Sequence, residues 1–159
     1  MKVERLMTKG VFTCAPGDTL NEAARIMWEH DCGIVPIVED AATRRVVGIV
    51  TDRDACMAVY TRGQPLAQIR VGDVMSTGVA SCRAGEEVGE AEQTMRSAQV
   101  HRLPVVDDAN QLLGVISLAD IAREATREAG SRRQEVTAVE IGETLAAIRK
   151  PREIAAVCA

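Results

Sequence analysis

Thr51 and Asp54 stand three residues apart, as do Ser117 and Asp120, and both pairs close an apolar run. The runs read Gly48-Ile49-Val50-Thr51-Asp52-Arg53-Asp54 and Gly114-Val115-Ile116-Ser117-Leu118-Ala119-Asp120. In each, a buried strand ends in a hydroxyl and an acid follows in the first turn of a helix. A carboxylate so placed can accept two hydrogen bonds from vicinal sugar hydroxyls. The hydroxyl and the free N–H groups of a helix N-terminus suit phosphate. The same spacing also caps a helix, and the helix dipole alone favours an acid there. The two roles are compatible.

A second signal is Val100-His101-Arg102-Leu103-Pro104, where two basic side chains precede a buried strand. The planar fork of Arg102 can hold phosphate bidentately. His101 adds charge only when protonated, which a nearby phosphate favours. A surface arginine beside a half-buried histidine is the plainer alternative. Arg53 is a further candidate for the anion, and an exposed helix-start arginine fits it equally well.

The chain has 159 residues, 47% hydrophobic and 26% charged, with a net charge of −4. That is one domain or two small ones, too apolar for disorder. Nineteen basic against 23 acidic residues argue against nucleic acid as a partner. Phe12, Trp28 and Tyr60 are too few to make a stacking platform for single strands. Met1–Arg5 opens no apolar signal segment, and the runs at 34–38 and 46–50 are far short of the ~20 residues that span a bilayer. A soluble, cytoplasmic protein without membrane contact is expected.

Five cysteines (Cys14, Cys32, Cys56, Cys82, Cys158) and two histidines form no zinc-site spacing, so no metal is expected. Reduced thiols filling the core are one reading and a redox role is the other. With neither a G-x-S-x-G elbow nor a phosphate loop, the chain reads as no enzyme, with no catalytic residues and no required cofactor.

Stepwise alignment of the chain with itself shows what must position these residues. Leu6-Met7-Thr8 recurs as Val74-Met75-Ser76, and a shift of 68 also carries Glu22-Ala23 to Glu90-Ala91 and Val35-Pro36-Ile37-Val38 to Leu103-Pro104-Val105-Val106. From Gly48 onward the shift is 66, the two lost residues falling in the polar stretch before it. Loops tolerate such changes. Each repeat reads strand, helix, strand, strand, helix. In repeat one these are 11–14, 20–30 (with Thr19 and Glu22 at capping-box spacing), 34–38, 45–51 and 52–60. In repeat two they are 79–82, 88–98, 103–107, 112–117 and 118–129, after a linker at 61–66. The boundaries predicted are 1–62, 68–128 and a tail at 131–159. In the tail, Ser131 caps a helix that Pro151 ends near Lys150, with Val136, Val139, Ile141, Leu145 and Ile148 as its apolar stripe. This tail either docks a partner or packs on its own module or dimer mate.

The repeated V-M-T/S, L/V-P-I/V-V and G-I-V-T-x-R-D segments resemble the cystathionine-β-synthase (CBS) domain, present as the tandem pair called a Bateman module. The resemblance, over roughly residues 1–125, implies an α/β (α+β) fold of two β-α-β-β-α repeats packed about a pseudo-twofold axis, to which the tail read above adds a C-terminal helix. It implies clefts between the repeats, a disc-like homodimer, and a stand-alone regulatory role toward an unknown protein. The ligand implied is adenosine-containing, with AMP, ADP or ATP favoured over S-adenosylmethionine. A dimerisation scaffold without ligand is the alternative.

By the same resemblance Thr51/Asp54 and Ser117/Asp120 are the binding pairs. A His-Arg-Leu-Pro segment like that of His101 and Arg102 contacts phosphate in an adenylate-sensing member. Repeat one has Gly33-Ile34 there, so unequal clefts are expected, the better phosphate site combining Thr51 and Asp54 with His101 and Arg102. Val11, Thr13, Val35 and Pro36 are candidates around one base, with Val79, Ser81, Leu103 and Pro104 as counterparts. As apolar residues they equally suit the core. Trp28 marks a subunit interface or is simply a lone surface tryptophan.

Overall fold

The computed structural model describes residues 1–130 and 134–150. Repeat one comprises β1 (Thr8–Lys9), α1 (Leu20–Glu29), β2 (Ile34–Val38), β3 (Val46–Thr51) and α2 (Asp52–Arg62). Repeat two comprises β4 (Cys82–Arg83), α3 (Val88–Ala98), β5 (Arg102–Val106), β6 (Leu112–Ser117) and α4 (Leu118–Glu128). The mixed α/β architecture is as the repeat implied. Both hairpins are antiparallel, and both slip register at the same place, Ile37/Val38 and Val105/Val106. Spacing explains the helices: α1 buries Leu20, Ala23, Ile26 and Met27 along one face. α2 runs two residues beyond its expected end, until Gly63 at φ +62 turns the chain.

The repeats exchange their leading segments. Val3 is fully buried in the core of repeat two, with Leu6 and Met7 against it, and β1 pairs antiparallel with β6. Reciprocally, Ile69 and Val71 are buried in the core of repeat one, and Ser76 bridges Ile49. This crossing explains the glycine that opens each motif. A Cβ on Gly114 would lie 2.5 Å from the Thr8 carbonyl oxygen, and one on Gly48 would lie 2.5 Å from Met75 Sδ.

Two expected strands are displaced by the same crossing. Of Val11–Cys14 only Cys14 pairs, by a parallel bridge to Ile37, and in repeat two pairing begins at Cys82 rather than Val79. Val11 and Val79 instead pack on Val38, Val46, Val106 and Leu112, the cluster joining the repeats. The expected Thr19 cap also lacks its side-chain bond. Glu22 turns to Arg25 (2.5 Å), and Leu20 N–H binds the Ile69 carbonyl.

The tail helix, α5 (Ala138–Ile148), starts later than expected, under a capping box of Thr137 and Glu140. The Ser131 cap and the Pro151 stop lie outside the described residues. α5 packs on α3 and α4, with Val136 and Ile148 in the core of repeat two. Its buried Thr144 receives Arg96 Nε at 2.7 Å and donates to Glu92 Oε1 at 3.1 Å. Among the described residues no helix is long and apolar enough to cross a membrane. Cys14, Cys32, Cys56 and Cys82 are free thiols, whereas Cys158 lies outside the described residues. Burial pushes the Cys14 thiol up to about 11 and Cys82 to about 12, as for inert core groups.

Candidate functional site

A cleft of about 490 Å³ opens between the repeats, a volume suited to a small ligand. Both halves of the chain build it. β1 lays residues 8–12 over repeat two, because Thr8 pairs with Val115. The end of α1 supplies the opposite rim: Asp31 takes the left-handed conformation (φ +48) and Cys32 N–H closes the helix on the Met27 carbonyl. Repeat two contributes Arg102, Val115, Ser117, Asp120 and Arg123.

Three surfaces result. Ile34, Pro36 and Val115 form an apolar wall. Phe12 and His30 stack face to face, their centroids 3.7 Å apart and their planes 10° from parallel. Opposite charge lines the polar part, with Arg102, Arg123 and Lys9 beside Asp120 and Asp31.

Asp120 does two things at once. Its Oδ2 accepts from Ser117 N–H (2.8 Å) and Ser117 Oγ (2.6 Å), while Ser117 Oγ accepts from Asp120 N–H, which completes a capping box for α4. Its Oδ1 pairs with Arg123. Thr51 and Asp54 build the same box on α2, at 2.9 and 2.7 Å. The capping reading of both motifs is therefore structural fact, and one carboxylate oxygen of each lies outside the box.

Arg102 reaches the cleft because it is the register partner of Ser117 across β5 and β6. Its guanidinium lies where the repeats meet: a Cβ on Gly33 would be 3.4 Å from Arg102 Nη1 and 3.2 Å from Asp52 Oδ2. Repeat one carries Gly33 where repeat two carries His101, and the missing side chain leaves room for that arginine. The cleft thus joins Arg102 to Ser117 and Asp120 rather than to Thr51 and Asp54. Of the other expected residues, Val11 and Pro36 line it, whereas Thr13, Val35, Thr51, Arg53, Asp54 and His101 do not. Val35 is fully buried in the core of repeat one. The His101 carbonyl accepts from Leu118 N–H, and burial, then Arg149 and Arg102, lower its imidazole pKa.

Phe12, His30, Cys32 and Arg123 went unselected in the sequence. The repeat itself holds the signal. Shifted by 68, Phe12 falls on Ala80, His30 on Ala98 and Ile34 on Arg102; shifted by 66, Met57 falls on Arg123. Both rings and both guanidinium groups therefore belong to the Asp120 cleft, and the positions related by the repeat around Asp54 hold alanine, isoleucine and methionine. Burial raises the pKa of Cys32, which sits half-buried at the rim.

Two strand–helix–strand–strand–helix units that trade their leading segments and share a cleft define a tandem-repeat α/β fold. The chain belongs to the CBS domain family, whose sequence profile matches residues 3–61 and 71–127. It is 37% identical over 120 residues to the CBS domain-containing protein YhcV of Bacillus subtilis, covering 76% of this chain and 82% of that one. It is 34% identical over 122 residues to an inosine-5′-monophosphate dehydrogenase of Methanocaldococcus jannaschii, covering 77% of this chain but 23% of that protein. Among solved structures it resembles the CBS domain pair of protein MJ0100, in complex with 5′-methylthioadenosine and S-adenosyl-L-methionine. There the TM-score is 0.69 at 26% identity, over 77% of this chain and 94% of that one.

Proposed function

We propose that this chain is a regulatory, non-catalytic CBS pair that binds a phosphate-bearing adenosine ligand of the AMP, ADP or ATP class in the Asp120 cleft and signals to a separate protein. The carrying observation is that both rings and both guanidinium groups converge on the one cleft that also holds Ser117 and Asp120. The Phe12–His30 stack offers a face for a planar base, and Ile34, Pro36 and Val115 exclude water from it. Asp120 Oδ1, now paired with Arg123, is the acceptor for ribose hydroxyls. Once that pair opens, Arg123 is available to phosphate alongside Arg102. Two arginines disfavour the sulfonium of S-adenosylmethionine, although the CBS pair of MJ0100 holds that compound.

Thermal unfolding with AMP, ADP, ATP and S-adenosylmethionine tests the reading. A ligand at ~100 times its dissociation constant adds about 2.7 kcal/mol, a rise of roughly 5–10 °C for a chain of this size. A rise with at least one nucleotide, exceeding that with S-adenosylmethionine, is expected. No rise with any of the four favours the second reading, a ligand-free scaffold. The complete capping boxes support that alternative, since they give Asp54 and Asp120 a purely structural role.

A further inference from the structure

Gly33, Asp52 and Arg102 meet where the repeats join. The register that pairs Ile34 with Thr51 sets Gly33 beside Asp52, the first residue of α2, and Arg102 reaches in from β5 of repeat two. A Cβ on Gly33 would lie 3.2 Å from Asp52 Oδ2, 3.4 Å from Arg102 Nη1 and 3.5 Å from Arg102 Nη2. The glycine thus leaves a notch bordered by one carboxylate oxygen and by both ends of the guanidinium fork. Asp52 Oδ1 is occupied, accepting from Arg53 N–H at 2.7 Å, so Oδ2 is the oxygen left for the notch. Neither group closes an ion pair among the described residues, and the two charges face each other only across that gap.

The repeat holds no second copy of this arrangement. The related positions carry His101, Leu118 and Ile34, so the missing side chain, the acid and the base all occur together on one side. An exposed carboxylate across such a gap attracts a guanidinium modestly. A phosphate carries more charge and accepts from both prongs of the same fork. We infer that Asp52 is a positioning residue for Arg102: it is the resident counter-ion of the guanidinium in the free protein, and the phosphate of an incoming ligand displaces it. Asp52 thereby acts on ligand choice without lining the cleft. A phosphate-bearing ligand has to compete with its carboxylate for Arg102, whereas a neutral nucleoside leaves the two charges facing each other. The inference rests on the nucleotide reading of the Asp120 cleft.

Calorimetric titration of the full chain tests it, with adenosine and with whichever of AMP, ADP and ATP binds the parent most tightly. Asp52→Asn lies at an exposed helix start and keeps an acceptor for Arg53 N–H, so the fold is spared. It is expected to bind the nucleotide about threefold more tightly than the parent, the size of one exposed charge pair, and adenosine no differently. The gain should vanish in an Arg102→Gln background, whereas a general field from the lost charge would persist there. At saturating nucleotide the Arg53 amide resonance, which reports the Asp52 carboxylate, should move in the parent and stay in place in Arg102→Gln. Equal or weaker nucleotide binding by Asp52→Asn overturns the inference alone, as does a gain that survives without Arg102 or that extends equally to adenosine. No binding of any of these ligands by parent and variant alike overturns the nucleotide reading, and the inference with it.

Discussion

The two repeats share a backbone and have divided the chemistry between them. Their capping boxes superpose almost bond for bond, Thr51/Asp54 at 2.9 and 2.7 Å and Ser117/Asp120 at 2.8 and 2.6 Å. Around that constant element the side chains that line the cleft differ. Asp120 faces Arg123 where Asp54 has Met57, and Arg102 stands where repeat one has Ile34. The helical face of repeat two is polar and covered by α5, whereas that of repeat one is apolar and bare. A duplicated scaffold can keep its fold with the residues that cap and cross, leaving the remaining positions free to specialise.

The crossing should be the most sensitive shared feature. Gly114→Ala drives a Cβ onto the Thr8 backbone carbonyl, which cannot move without breaking the β1–β6 pairing. A loss of about 3 kcal/mol is expected from denaturant unfolding. Gly48→Ala meets the flexible end of Met75 at the same distance and should cost only about 1 kcal/mol. Equal losses would mean that the two crossings are not differently constrained.

An intermediate effect is expected from the arginines. Arg102→Gln should weaken binding of a phosphate-bearing ligand by about tenfold in a calorimetric titration, the size of one charge-assisted bond. Arg53→Gln, outside the cleft, should leave that affinity unchanged.

The smallest effect concerns α5. Burial, more than any neighbour, raises the Glu92 carboxyl above its ordinary value, against the opposing pull of Thr144 and Arg96, with Glu140 adding to the rise. A raised folded-state pKa means that the stabilisation is full below the unfolded value and fades as pH climbs through the folded one. Glu92→Gln mimics the protonated acid, so its melting temperature should match the parent near pH 4 and exceed it slightly at pH 8. A variant equally displaced at both would remove the titration of Glu92 from the account.

Much of this was legible in the sequence because period and repetition encode it: the helix stripes, the hairpins and both hydroxyl–acid motifs appear where the spacing put them. The strands at Val11 and Val79 did not form because their partners are set by the crossing, a long-range pairing that local pattern does not carry. Arg102 was expected beside Thr51 and Asp54 and lies instead beside Ser117 and Asp120, since nothing in Val100–Pro104 says which motif lies across the hairpin. Register says it at once, as Arg102 pairs with Ser117. Phe12 and His30 escaped notice because each is ordinary alone and becomes a surface only when stacked.

Titrating the same nucleotide, AMP or ATP, into Asp120→Asn and Asp54→Asn tests the division of labour most directly. Asparagine keeps an acceptor for the cap in both, so folding is spared while the carboxylate is lost. The account expects affinity to fall by about tenfold or more in Asp120→Asn and to stay at the parent value in Asp54→Asn. The reverse order, or equal losses in both, would contradict it.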